Sequence, residues 1–147
     1  MDAETRIPIC SDRDLVPARA KGRALALELG FSRTDATLIA TAISEVARNI
    51  VVHAGRGEVV MSPAIDGRRC GLTVIAIDEG PGIRDIEAAL TDGWATRGGL
   101  GLGLPGARRL MDEFVIESPR RQGTTVTMRK WRDGSDARAP AAEARRA

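Results

Sequence analysis

Apolar residues recur along this chain in two rhythms. The clearest is helical. Leu38, Ile39, Ala42, Ile43, Val46, Ala47 and Ile50 follow three-and-four spacing, which lines one face of a helix. Ser32-Arg33-Thr34-Asp35 supplies a capping signal ahead of it, and Ala54-Gly55-Arg56-Gly57 ends it after His53. An earlier helix is predicted from Ser11, a plausible N-cap with Asp14 three residues on, to about Leu29, with Gly30 as its stop. Pro17 fits only in the first turn or two. The second rhythm is β-branched. Residues 58–65 and 70–77 form two such runs separated by Asp66-Gly67-Arg68-Arg69, which reads as a hairpin. The second run is almost wholly apolar and predicts a central strand. Residues 5–10 read as a short strand whose Pro8 favours an edge. Residues 113–118 and 124–131 are the last two strands. A short helix is expected at 85–90, a polar Gly-rich stretch at 91–100, and a helix opening at its glycine end over 101–112. Helices and strands do not alternate strictly, which argues against a doubly wound parallel sheet. The expected class is α/β in the α+β sense: a two-layer sandwich of a mixed, mostly antiparallel sheet with helices on one face.

Composition narrows this picture. The 147 residues suit one domain; the division expected is a folded domain over 1–132 and a disordered Ala/Arg tail over 133–147. Aromatic residues make up 3% and Tyr is lacking, so the core must be aliphatic. The 22 basic and 20 acidic residues leave a net charge of +2, which gives no sequence-wide pull toward nucleic acid or membrane. No window approaches the ~20 apolar residues of a membrane span, and no signal peptide is evident; the expected location is cytoplasmic. Cys10 and Cys70 stand alone, without metal-site spacing.

Three segments carry candidate chemistry. Glu45 and Asn49 are four apart and share a helix face. A carboxylate can accept a hydroxyl proton, and an amide oxygen is a hard ligand of the kind Mg²⁺ prefers. The same pair on a solvated face would have no function. Asp78-Glu79-Gly80-Pro81-Gly82 follows the apolar strand directly. Asp78 there could accept a ligand amino hydrogen while Gly80 and Gly82 let backbone approach a flat ring; an ordinary Pro/Gly turn is the plain alternative. Gly98-Gly99-Leu100-Gly101-Leu102-Gly103-Leu104-Pro105-Gly106 precedes a helix, where backbone N–H groups and the helix dipole favour phosphates. The run contains a literal GxGxxG but lacks the preceding strand and βαβ context of a dinucleotide fold. No P-loop pattern occurs in the chain.

Taken together in this order, Glu-x-x-x-Asn on a helix, Asp-x-Gly-x-Gly after a strand and a Gly-rich helix start resemble the GHKL (Bergerat) ATPase superfamily. Its N box matches Glu45–Asn49, its G1 box Asp78–Gly82 and its G2 box Gly99–Gly103, and Gly123-Thr124-Thr125 looks like its distal Gly-Thr element. The segments ISEVARNIVVHAGRG, IDEGPGI, GGLGLGLPG, RLMDEF and GTTVTMRKW are most similar to the RsbT-type switch kinases of bacterial stress signalling. The resemblance implies ATP and Mg²⁺ as cofactors. It implies Glu45 as general base, Asn49 on Mg²⁺, Asp78 on the adenine amino group, and Gly82 and Thr124 completing the base pocket. Gly99, Leu100, Gly101, Leu102 and Gly103 would supply phosphate-facing amides, with Gly98 beside them. Arg97 is a candidate for the γ-phosphate by charge and place.

The implied activity is a serine/threonine protein kinase. Its substrate would be a STAS-domain antagonist or stressosome scaffold, and after release it would activate a PP2C-type phosphatase. Arg48, Arg56, Arg108 and Arg109 are candidate rim contacts. The single histidine, His53, does not supply the phosphoacceptor helix pair of a sensor histidine kinase. Two other classes stay open: an anti-sigma kinase of the SpoIIAB or RsbW type, which would also grip a sigma factor, and a non-catalytic ATP-gated interaction module.

Overall fold

The computed structural model describes residues 4–83, 103–119 and 122–132. Strand β1 (Thr5–Ile9) leads through a 3-10 turn (Asp12–Asp14) into α1 (Leu15–Glu28). Helix α2 (Arg33–His53) and the hairpin of β2 (Gly57–Asp66) and β3 (Arg69–Asp78) follow; α3 (Gly103–Leu110), β4 (Glu113–Glu117) and β5 (Thr124–Trp131) complete the described elements. The sheet order is β1-β2-β3-β5-β4, and every pairing is antiparallel. β3 is therefore central and β1, with its Pro8, lies at an edge, as the sequence predicts.

Local signals set the helix starts. Ser11 and Asp14 form a capping box around the 3-10 turn, and the helix proper begins only at Leu15, so Pro17 falls in its first turn. The Ser32 hydroxyl accepts the Asp35 N–H at 3.0 Å and caps α2.

Strand alternation sorts residues to two faces. Val59, Met61, Leu72, Val74, Ala76, Val126 and Met128 point to the helices and are buried. Ile39, Ile43, Val46 and Ile50 of α2 meet them in one aliphatic core. The two helices approach closely where α1 carries Gly22: a methyl group added there would sit 2.1 Å from Ile43 Cδ1 of α2, and 3.7 Å from Met61 Sδ of the sheet. The buried helix α2 thus has little freedom to roll, and its C-terminal half is delivered to one end of the sheet.

Candidate functional site

At that end, α2, the β3 terminus and the α3 start converge. Asp78 is the last residue of β3. Gly57 lies directly across from it on β2 and Thr124 across from it on β5. A Cβ on Gly57 would meet the Ile77 carbonyl oxygen at 2.2 Å, Asp78 Cβ at 3.0 Å and Ile50 Cγ2 at 3.0 Å. Glycine at this position is what lets α2 close over Asp78. On the other flank Gly123 (φ +86°) comes so near that a Cβ would stand 2.1 Å from the Asp78 carbonyl oxygen. The loop beyond β3 folds back on α2: a Cβ on Gly80 would lie 2.6 Å from that of Ala54. Gly82 adopts φ +86° against Ser118.

The polar side chains at this end are buried. Glu45 is 3% exposed, Asn49 8%, Asp78 7% and Thr124 4%. A buried charge needs partners. Glu45 Oε1 accepts the Gly103 N–H at 3.0 Å, where the first amides of α3 and its dipole favour an anion. Asp78 Oδ1 accepts the Gly80 N–H at 2.9 Å. Asn49 Oδ1 is buried with no hydrogen-bond partner. An orphaned acceptor of this kind is one that a water, an ion or a ligand would satisfy, and Ser44 Oγ is buried in the same condition. Burial removes the solvated-face reading of Glu45 and Asn49; the bond from the Gly80 N–H to Asp78 is that of an ordinary Asx turn, so the turn reading of residues 78–82 stands beside the ligand one.

A family model described as a histidine kinase-like ATPase domain matches residues 11–130. The chain belongs to this family. An ATPase domain implies ATP binding. Among individual proteins, the chain is 47% identical over 131 residues to the serine/threonine-protein kinase RsbT of Bacillus subtilis (strain 168), covering 89% of this chain and 98% of that one. It is 34% identical over 125 residues to an anti-sigma F factor of Thermoanaerobacter sp. (strain X514), covering 81% and 85%. It is also 34% identical over 120 residues to the anti-sigma F factor of Geobacillus stearothermophilus, covering 77% and 81%.

The fold therefore brings together Glu45, Asn49, Asp78, Gly80, Gly82, Gly103 and Thr124 at one end of the sheet. The Gly103 amide, expected to face phosphate, is directed at Glu45 instead. Arg97, Gly98, Gly99, Leu100, Gly101 and Leu102, with the short helix expected at 85–90 and the tail after Arg132, lie outside the described residues. His53 and Arg56 are exposed at the far end of α2 and beyond it, and Arg108 and Arg109 are exposed on α3. Among the described residues, no helix is long and apolar enough to cross a membrane. Sequence reasoning missed Gly57 and Ser118. Gly57 looked like part of a helix stop, and Ser118 like a strand end; the cross-strand register puts Gly57 opposite Asp78, and Ser118 meets Thr124 through its hydroxyl.

Asn49 offers the chemistry Mg²⁺ takes: a hard, dehydrated amide oxygen whose bonding capacity is unfilled.

Proposed function

We propose that this chain is an ATP-dependent serine/threonine protein kinase of a bacterial partner-switching stress module. The observation that carries the reading is Glu45, a carboxylate buried to 3% exposure and oriented by the Gly103 amide, one helical turn from the orphaned oxygen of Asn49. A pure nucleotide binder has no use for a base held this way. The strong likeness to a serine/threonine kinase along 98% of that relative's length supports the same reading.

Each residue then has a task. Asp78 accepts the adenine amino hydrogen, with Thr124 and Gly82 completing the base pocket. Asn49 would hold Mg²⁺ on the triphosphate, and the metal would neutralise phosphate charge. Gly98 to Leu102 would offer amides to the phosphates, and Arg97 would contact the γ-phosphate, as the family resemblance and charge suggest. Gly103 keeps Glu45 in place, leaving Oε2 to take the proton from a partner's Ser or Thr hydroxyl. The new bond joins that oxygen to the γ-phosphorus while the bond to the β-phosphate oxygen breaks. Such transfer depends chiefly on positioning and charge neutralisation. The domain would be residues 1–132, working in the cytoplasm on a STAS-domain antagonist or scaffold and, once released, on a PP2C-type phosphatase.

The test is transfer of γ-labelled phosphate from Mg·ATP to a STAS-domain protein encoded beside it. Wild type should label the partner. Glu45→Gln should bind ATP and lose about 10²- to 10⁴-fold in rate. Labelling undiminished in Glu45→Gln would remove Glu45 from the mechanism. The anti-sigma reading draws on the 34% relatives; capture of a purified sigma factor by the ATP-bound chain would favour it.

A further inference from the structure

Among the described residues, three of the four buried side-chain atoms without a hydrogen-bond partner lie between Ser44 and Asn49 of α2: Ser44 Oγ, Arg48 Nε and Asn49 Oδ1. The last two have opposite needs. An amide oxygen accepts, and suits a cation. The Nε–H of a guanidinium can only donate, and the group keeps its charge at any ordinary pH. It calls for an anion. Arg48 as a whole is half-buried, so the residue still meets solvent. The ion pairs among the described residues do not include it.

Helical geometry shows from which side that anion comes. Counted from the core residue Ile50 at about 100° per residue, Asn49 lies about 100° round the axis, Glu45 about 140° and Arg48 about 200°. Ile50 packs toward Gly57, the cross-strand neighbour of Asp78. A nucleotide seated on Asp78 and Asn49 therefore fills the near side of Glu45. Arg48 stands beyond Glu45, on the flank turned away from the sheet. Thr37 and Val52 are exposed on that flank and Thr41 is half-buried, so Arg48 is its one charge. A hydroxyl that attacks the γ-phosphate in line with the leaving oxygen must reach Glu45 from the side the nucleotide leaves open.

We propose that Arg48 is a specificity residue for the protein substrate: its guanidinium pairs with an Asp or Glu carboxylate of the phosphoacceptor protein, close to the Ser or Thr whose proton Glu45 takes. The inference rests on the kinase reading above. A charge-assisted bond of this kind is strong and directional. It fills the Arg48 donor only when the partner is docked, and so favours a partner that carries an acidic side chain at that place.

The experiment measures transfer of γ-labelled phosphate from Mg·ATP to the neighbouring STAS-domain protein at varied concentrations of that protein. Calorimetry of ATP binding and urea unfolding accompany it, for wild type, Arg48→Ala, Arg48→Lys and Arg48→Glu. Arg48→Ala should raise KM for the protein about ten- to a hundredfold, the scale of a hydrogen bond to a charged group, with kcat and ATP affinity little changed. Its urea midpoint should hold, because the free chain loses no bond of Arg48 Nε. Arg48→Lys should recover part of the loss. Arg48→Glu should be worse than Arg48→Ala, since it sets like charges together. Should Arg48→Ala fail to fold, the Lys and Glu variants carry the test. Equal KM in wild type and Arg48→Glu overturns the proposal, and so does equal KM in Arg48→Ala and Arg48→Glu. A fall in ATP affinity with KM for the protein unmoved gives Arg48 to the nucleotide and overturns it too. A lower urea midpoint with KM unmoved means a merely structural side chain. In each of these cases wild type still labels the partner and the kinase reading stands. Wild type labelling nothing removes that reading and this one together.

Discussion

Asp78 shows how much of a binding site is made by what is missing around it. Three neighbours, Gly57, Gly80 and Gly123, carry no side chain, and a Cβ on any of them would strike backbone or Asp78 itself within 3.0 Å, or Ala54 in the case of Gly80. Gly123→Ala adds a left-handed backbone penalty to that clash, each about 1–3 kcal/mol. Urea unfolding should report a loss of about 3 kcal/mol. Asp78→Asn is a gentler probe. The amide oxygen can keep the Gly80 N–H, but the group facing the ligand becomes a donor. ATP affinity should fall about ten- to a hundredfold with little change in stability, because a hydrogen bond to a charged group is lost. Unchanged affinity in calorimetry would take Asp78 out of the base pocket.

Among the elements, α2 was the most legible in sequence because its apolar rhythm, cap and stop agree. Its Ser32 cap is a single local bond. Ser32→Ala should cost about 1 kcal/mol, seen as a lower urea midpoint with an unchanged slope. Helix α3 was less legible. Gly101 and Leu102, where it was expected to open, lie outside the described residues. It ends at Leu110, whose carbonyl accepts Lys130 Nζ at 2.9 Å, followed by Asp112, which accepts the Trp131 N–H at 2.7 Å. A local pattern cannot foresee a stop made by a strand twenty residues away. The hairpin was read in place but each strand runs one residue further at both ends, since pairing extends as long as the partner does.

Across the whole molecule, the solvent face of the sheet carries its own polar cluster. Glu113 accepts from the Trp131 indole at 2.8 Å and from Arg129 at 2.6 Å, and Arg129 also donates to Thr73. These bonds, the indole first and Arg129 next, hold the Glu113 carboxyl below its ordinary pKa. A carboxylate depressed on folding stabilises the protein above its unfolded pKa, and that contribution fades as pH falls through the folded value. Thermal unfolding followed from neutral pH into acid should therefore show a loss that Glu113→Gln flattens. Parallel curves for the two proteins would mean the cluster contributes nothing measurable. The cluster ties β3, β4 and β5 together on the side away from the site, which lets the other face give its buried positions to the core.

The sequence by itself determined the described helices and strands, the two-layer class and the residue types of the candidate site, because apolar period, caps and glycine-rich turns are local signals that survive in one dimension. Only the tertiary structure decided which polar groups are desolvated and who holds them. Taken alone, Glu45 and Asn49 read as a wet helix face until packing buried them, and the Gly103 amide was assigned to phosphate until the approach of α3 to α2 turned it to Glu45. The contacts of the Ser118 hydroxyl with Ile83, Gly123 and Thr124 were beyond any reading of the chain, since they join loop residues far apart in sequence. Hydrogen-bond direction depends on distance and on which partner has a proton to give, and neither is written in sequence order.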